Sequence, residues 1–245
     1  MDKTLLILLA FTMGIPFPFC LCRMKKFGIS LPIMLLIYVA VSLCGLIGAR
    51  VGSAAAGGAL AGKRLYGLMI FDTGALLILS KLLKITVGNL GDFVAVPIMA
   101  VCASAKLDCL LNDCCAGFCM YYEGSTPVLF PSAILEMIVW SIFVVLLLLI
   151  ERKQFASGIL WPISMIWFGA ARFLFDYFRG SIWERKPFFL TMSAGQFWSL
   201  VALLIGAVFL FFTLRNKLER KPRLAELLKS IFGMRIIQDF KDAET

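Results

Sequence analysis

The sequence has 245 residues, of which 61% are apolar and 16% charged, and its formal net charge is +9. This composition excludes a disordered chain, and a soluble protein of this length would not need so many apolar side chains. The basic residues cluster between apolar runs and near the C-terminus, which is typical of membrane topology and not of nucleic-acid binding.

Seven apolar runs approach the length of about 20 residues that crosses a bilayer as a helix. Helix is the expected form because lipid offers the backbone no hydrogen-bond partner. The first run lacks a charged n-region and a clean small-residue cleavage site, which predicts a retained span and not a cleaved signal peptide. The sequence therefore predicts an all-α polytopic membrane protein with seven transmembrane helices. They cover residues 4–22, 30–49, 65–86, 92–111, 131–150, 156–176 and 192–214.

Basic groups follow every second predicted span. If the spans alternate, all of these groups lie on one side, and the positive-inside rule makes that side the cytoplasm. The N-terminus is then outside and the C-terminus cytoplasmic. We expect a membrane domain over 1–221 and a cytoplasmic tail over 222–245, which forms either a helix on the inner leaflet or a short solvated helix. The basic groups are RMKK (23–26), Lys81 and Lys84, ERK (151–153), and RNKLERKPR (215–223).

Some charged residues lie inside or at the edge of apolar runs, where a charge is costly and therefore a functional candidate. Asp72 and Glu136 are two of them, and Glu136 is expected to need a basic partner from another helix. The stretch ARFLFDYFRG (171–180) places Arg172, Asp176 and Arg179 on one helix face. This face can bind an anion, because guanidinium groups bind phosphate oxygens in a bidentate manner. The alternative is an internal Arg–Asp pair that extends to the membrane interface.

The stretch KLDCLLNDCCAG (106–117) follows the fourth span. Asp108 and Asn112 can share a helix face there, which favours the wall of a polar pocket. Irregular cysteine spacing and the absence of histidine disfavour a metal site, and we predict no metal and no cofactor. Two other interpretations stay open: a disulfide that involves Cys109 or Cys119, and cysteines that act as small apolar fillers.

Six motifs follow one another along the chain in an order that resembles the prolipoprotein diacylglyceryl transferases of bacteria. The third is similar to that family's long glycine- and asparagine-containing signature, and the fourth to its HPTQLYE motif. The motifs are GARVG (48–52), GKRLYGLMIF (62–71), GDFVAVPIMAVCASAKLDCLLNDCCAG (91–117), PSAILE (131–136), GAARFLFDYFR (169–179) and GQFWS (195–199).

The resemblance implies a seven-helix protein of the bacterial plasma membrane whose site opens to the outer side. The implied reaction moves a diacylglyceryl group from phosphatidylglycerol to the cysteine thiol of a prolipoprotein, and glycerol phosphate leaves. The implied partners are phosphatidylglycerol or a related anionic phospholipid, the prolipoprotein signal segment and the membrane, with no nucleic acid. One alternative is a non-catalytic protein that binds phospholipid or lipoprotein, and another is a transferase with a different acceptor.

Matched by position, the resemblance also implies site residues. The chain departs from the family at Tyr66 and Phe130, which stand where the family has histidines, and at Cys109 and Cys114 in the signature. The implied catalytic residues are Tyr66, Glu136 and Asp176, and the implied substrate-binding residues are Arg50, Lys106, Asn112, Arg172, Arg179 and Gln196.

Overall fold

The computed structural model describes residues 14–55, 65–111, 117–123, 126–152, 158–178 and 191–218. Within these ranges the chain forms seven helices, one at each predicted span, and a β-hairpin that the sequence analysis did not predict. The predicted tail, 222–245, lies outside the described residues. In chain order the elements are α1 (Pro16–Met24), α2 (Leu31–Ala55), α3 (Leu65–Leu83), α4 (Val87–Leu111), β1 (Cys119–Glu123), β2 (Thr126–Leu129), α5 (Ser132–Arg152), α6 (Leu160–Tyr177) and α7 (Ala194–Leu218).

Five of these helices, α2, α3, α4, α5 and α7, are long and apolar enough to cross a membrane. Helix α6 has 18 residues and carries the charged residues Arg172 and Asp176. Helix α1 begins at Pro16, and residues 1–13 lie outside the described part. The prediction of an all-α polytopic membrane protein is confirmed, whereas the exact number of spans stays a prediction.

Helix α4 is the centre of the bundle. Of its apolar span, 78% is buried inside the protein, against 17% to 39% for the other four spans. It packs against α1, α3, α5 and α6, and Phe93, Val96 and Met99 are fully buried on it. The outer helices expose large apolar side chains such as Ile78 and Leu82, which suits a surface that faces lipid.

Two helix pairs pack closely through glycines. Gly48 on α2 and Gly67 on α3 face each other, and a Cβ on Gly67 would overlap the carbonyl oxygen of Gly48. On α6 and α7, Gly169 and Gly206 bring the backbones together, since a Cβ on Gly206 would lie 2.9 Å from the carbonyl oxygen of Pro162. Small residues allow this close approach in membranes, and the close packing predicted for the glycine-rich segment after residue 45 is present up to Ala55.

Helices α2 and α4 are longer than the sequence predicted. Helix α2 continues past residue 49 to Ala55, because Gly52 and Ser53 are buried and Gly52 packs against Gly67. Helix α4 begins at Val87 and not at residue 92, because the turn from α3 is short and is made around Lys84, whose φ is 54°.

The hairpin lies between α4 and α5 and is fixed to the end of α6. The two strands pair antiparallel, and the amide of Phe118 donates to the carbonyl oxygen of Phe178 at 3.3 Å. Phe130 stacks on Phe118 at 5.2 Å and on Phe178 at 5.4 Å between ring centroids. Gly117 must be glycine here, because any Cβ would overlap the backbone of Phe130. The ends of α4 and α6 and the start of α5 therefore meet at one end of the bundle.

Candidate functional site

Three charged side chains from three helices meet inside the protein. Lys106 on α4 forms an ion pair with Oε2 of Glu136 on α5, and Nη1 of Arg172 on α6 lies 3.4 Å from the same oxygen. Glu136 is fully buried and Lys106 is 2% exposed. The prediction that Glu136 has a basic partner from another helix is confirmed, and it has two. We call Lys106, Glu136 and Arg172 the charged cluster.

The charged cluster forms because three helix ends lie side by side. Lys106 is five residues before the end of α4, Glu136 is four residues after the start of α5, and Arg172 is five residues before the end of α6. At 1.5 Å per residue all three therefore lie about 6–8 Å from their helix ends.

The three members of the charged cluster differ in how accessible they are. The side chain of Arg172 is 14% exposed, against 2% for Lys106 and 0% for Glu136. Arg172 is therefore the most accessible member of the charged cluster. Guanidinium and ammonium groups held together in this way are suited to binding an anion.

Asp176 lies one turn beyond Arg172 and contacts the start of α7. The hydroxyl of Ser193 donates to Oδ2 of Asp176 at 2.5 Å. Ser193 also accepts from the amide of Gln196 at 3.1 Å, and its own amide donates to Oε1 of Gln196 at 3.0 Å. This reciprocal pair is a capping box, which fixes the first turn of α7 against Asp176. Gly195 leaves room for the carboxylate, since a Cβ there would lie 3.1 Å from Oδ1 of Asp176.

Tyr66 joins three helices. Its hydroxyl donates to the carbonyl oxygen of Gly52 on α2 at 2.9 Å, and its ring stacks on Trp198 of α7 at 6.1 Å between centroids. Only 8% of the residue is exposed. Phe130, at the other position where the family has histidine, lies in the phenylalanine stack described above. Both replacements therefore make packing contacts in this structure.

The remaining predicted site residues are placed as follows. Gln196 is buried in the capping box. Arg50 is exposed near the end of α2. Asn112 and Arg179 lie outside the described residues, each just beyond a helix that carries a member of the charged cluster. Cys119 forms no disulfide within the described residues, and Cys114 and Cys115 lie outside them, so the disulfide interpretation stays a prediction.

Two polar residues near the site were missed or left without a role by the sequence analysis. Ser193 was missed, although the spacing of Ser193 and Gln196 matches the capping-box pattern of serine followed three residues later by glutamine. Asp72 was recognised as a charge inside an apolar run but was given no role. It is 2% exposed, and within the described part of the chain its Oδ1 has no hydrogen-bond partner.

A second group of charges lies at the opposite end of α4 and α5. Nε of Arg23 on α1 donates to Glu151 at 2.8 Å, and its other nitrogens donate to the carbonyl oxygens of Asp92 and Phe93. Nζ of Lys26 lies 3.4 Å from Glu151. Arg23, Lys26, Glu151 and Asp92 form what we call the anchor cluster.

Asp92 also holds the start of α6. Its carboxylate accepts the backbone amides of residues 158–161, among them Leu160 at 2.8 Å and Trp161 at 3.1 Å. Gly158 makes this turn possible because its φ is +90°, a value that side chains disfavour. A carboxylate from α4 thus caps a helix whose other end carries Arg172 and Asp176, which fixes the axial position of both.

Comparison with known proteins identifies the family. The model of the prolipoprotein diacylglyceryl transferase family matches residues 4–212, a range that contains the charged cluster, Asp176, Tyr66 and the anchor cluster. No curated protein matches the chain. Because the match covers far more than half of the sequence, the chain belongs to the prolipoprotein diacylglyceryl transferase family.

Proposed function

We propose that this protein transfers a diacylglyceryl group from phosphatidylglycerol to the cysteine thiol of a prolipoprotein. The observation that carries the proposal is the charged cluster, because it brings two cations from different helices together inside a membrane protein of this transferase family. Charges buried at membrane depth are costly and usually serve a function. Apolar residues of similar volume often give equal or greater stability than a buried group of charges.

The proposed topology has seven spans, an outside N-terminus, a cytoplasmic C-terminus and a site that faces the outer side of a bacterial plasma membrane. Asp92 and Lys106 are 14 residues apart on α4, so the anchor cluster and the charged cluster are separated by about 21 Å along this helix. Lys81 and Arg152 lie near the ends of α3 and α5 on the side of the anchor cluster. The excess of basic residues at that end supports its assignment to the cytoplasm.

The donor lipid carries one negative charge on its phosphodiester, which cationic side chains can bind. We assign the first contact with phosphate to Arg172, the most exposed member, and the second to Lys106. Glu136 then holds both cations in position. Asn112 and Arg179 follow the ends of α4 and α6 in sequence, and we propose that they extend the headgroup site, with Arg50 and Gln196 at its margin.

In the proposed reaction the acceptor sulfur attacks the glycerol carbon of the diacylglyceryl group. The new S–C bond forms as the C–O bond to phosphate breaks, and the electron pair leaves on glycerol phosphate. The cations neutralise the charge that grows on the leaving phosphate, which is usually the largest catalytic contribution. The thiol proton passes to Asp176, because Glu136 is held by two cations and is therefore a weak proton acceptor. Tyr66 positions the substrate from the α2–α7 side.

The test uses purified protein in vesicles of phosphatidylglycerol with a lipobox peptide, and mass spectrometry detects the diacylglyceryl adduct. We expect the transfer rate of Arg172→Ala to fall about 10²- to 10³-fold. Loss of one hydrogen-bond donor that stabilises transition-state charge has an effect of this size in other enzymes. Arg152→Ala is the matched control, because Arg152 is an exposed arginine at the end of α5 opposite to Glu136. This variant should transfer the diacylglyceryl group at the wild-type rate. Equal rates for the wild type and Arg172→Ala would remove Arg172 from catalysis.

The second candidate function is binding without catalysis. The observation that favours it is the packing role of Tyr66 and Phe130, since a chain without histidine has no imidazole to take the thiol proton. A binding protein would retain a native phospholipid through purification and would form no adduct with the peptide. A wild-type adduct with the cysteine peptide, and none with a serine peptide, would exclude this second function.

A further inference from the structure

The β-hairpin exposes large apolar side chains that the reaction described above does not use. All five residues of β1 are exposed, and the relative exposures of Met120, Tyr121 and Tyr122 are 50%, 56% and 69%. Leu129, at the end of β2, is exposed as well. We call Met120, Tyr121, Tyr122 and Leu129 the hairpin surface. A two-stranded hairpin is marginally stable unless something packs against it, and exposed apolar patches mark sites of contact with a protein or a membrane.

The hairpin surface is connected to helices that expose apolar residues at the same end of the bundle. Strand β1 follows α4 and strand β2 leads into α5, and both of these helices are apolar enough to cross a membrane. The amide of Phe118 fixes the hairpin to the carbonyl oxygen of Phe178 at the end of α6. Near this end the three helices expose Leu110 on α4, Ile134 and Leu135 on α5, and Leu174 and Tyr177 on α6.

The distribution of charge favours contact of the hairpin surface with a membrane over contact with water. From residue 117 to residue 132 the sequence has one charged residue, Glu123. The turns at the opposite end of the bundle instead expose Lys25, Lys26 and Lys84. Tyrosine is enriched at membrane–water interfaces, where the ring lies among lipid and the hydroxyl reaches water or headgroups.

The backbone of the hairpin limits how deep it can lie. Each strand of a two-stranded hairpin has an outer edge whose amide and carbonyl groups do not pair with the other strand. Such groups are costly in hydrocarbon, where they find no partner, and so is the charge of Glu123 near the turn. The headgroup region offers water and polar lipid groups to the backbone edges and apolar carbon to the tyrosine rings. It therefore suits both parts of the hairpin.

We propose that the hairpin surface contacts lipid in the headgroup region of the leaflet at the charged-cluster end of the bundle, with Tyr121 and Tyr122 among the headgroups and the first acyl carbons. The hairpin is fixed to the end of the helix that carries Arg172, so the same contact fixes that helix end relative to the membrane surface. The lipid contact does not rest on the proposed reaction.

The test places a tryptophan on the hairpin surface and measures its depth by fluorescence. Tyr122→Trp keeps an aromatic ring at an exposed position, so we expect the fold to be retained. In phosphatidylglycerol vesicles the emission that this variant adds to that of the five native tryptophans is the signal. Lipids brominated next to the headgroup should quench this signal most, lipids brominated at the chain ends less, and aqueous iodide weakly. Tyr121→Trp should show the same order.

Ile142→Trp is the matched control for depth. Ile142 is exposed and lies ten residues from either end of α5, so lipids brominated at the chain ends should quench its added emission most.

Three results would overturn the inference. Strong quenching of Tyr122→Trp by iodide and none by either lipid would place the hairpin in water. Stronger quenching by chain-end bromine would place it in the hydrocarbon. Protection from iodide without quenching by lipid would show that a protein surface, such as a second copy of this chain, covers it. Quenching at headgroup depth together with no peptide adduct would refute the transferase and leave this inference intact.

Discussion

Glu136→Gln is the substitution that tests the charged cluster most directly. It removes a carboxylate that pairs with both Lys106 and Arg172, and it keeps the size of the side chain. Loss of one member of a buried ion pair costs about 3–5 kcal/mol, because the remaining charge is buried without compensation. Lys106 can limit this cost by releasing its proton, which for an ordinary lysine at pH 7 requires about 4.6 kcal/mol. We therefore expect unfolding in mixed micelles to show a loss of about 3–5 kcal/mol.

The double variant Lys106→Met with Glu136→Gln separates this effect from simple loss of packing. It removes the stranded lysine charge, so we expect it to be more stable than Glu136→Gln alone, with a coupling free energy of more than about 1 kcal/mol. Glu151→Gln breaks a comparable buried pair with Arg23 in the anchor cluster and should lower stability without affecting lipid binding. Additive effects of Lys106→Met and Glu136→Gln, within about 0.5 kcal/mol, would refute a mutually compensating pair.

Three further predictions concern packing and helix ends, and thermal unfolding in detergent measures each. Gly67→Ala should destabilise by about 1–3 kcal/mol because its Cβ overlaps the backbone of α2, whereas Gly74→Ala on the same helix has open space and should be neutral or stabilising. Asp92→Ala should cost at least about 2 kcal/mol by removing the acceptor for the first amides of α6. Ser193→Ala should cost about 1 kcal/mol and Ser193→Thr much less, because threonine can also form a capping box.

The helices could be predicted from the sequence because hydrophobic length is a direct signal of a membrane span. Each of the seven predicted positions holds a helix, and the largest errors among the fully described helix ends are at the end of α2 and the start of α4. Those ends depend on contacts between helices, such as Gly52 against Gly67, which the pattern of a single helix does not contain. The hairpin was missed because a two-stranded unit is stable only with contacts to the rest of the protein. One of these is the hydrogen bond from the amide of Phe118 to the carbonyl oxygen of Phe178, 60 residues later in the chain.

A site residue could be predicted from the sequence where a charged side chain in an apolar run would cost free energy without a partner. Glu136 stood out because a lone carboxylate in an apolar run requires a partner, and the structure supplies Lys106 and Arg172. The identity of those partners could not come from spacing, since they lie 30 and 36 residues from Glu136 on other helices. Periodicity placed Arg172 and Asp176 on one face of α6 but did not reveal that Asp176 contacts Ser193. Such contacts depend on how α6 and α7 pack, which sequence pattern alone does not determine.

The two ends of α4 differ in how accessible their arginines are. In the anchor cluster the Arg23 side chain is 5% exposed, and its nitrogens donate to Glu151 and to the carbonyl oxygens of Asp92 and Phe93. In the charged cluster Lys106 and Arg172 share one oxygen of Glu136, and the Arg172 side chain is 14% exposed. A guanidinium that is partly accessible can still form a bidentate contact with a phosphate. We therefore propose that the charged cluster, and not the anchor cluster, binds the anionic ligand.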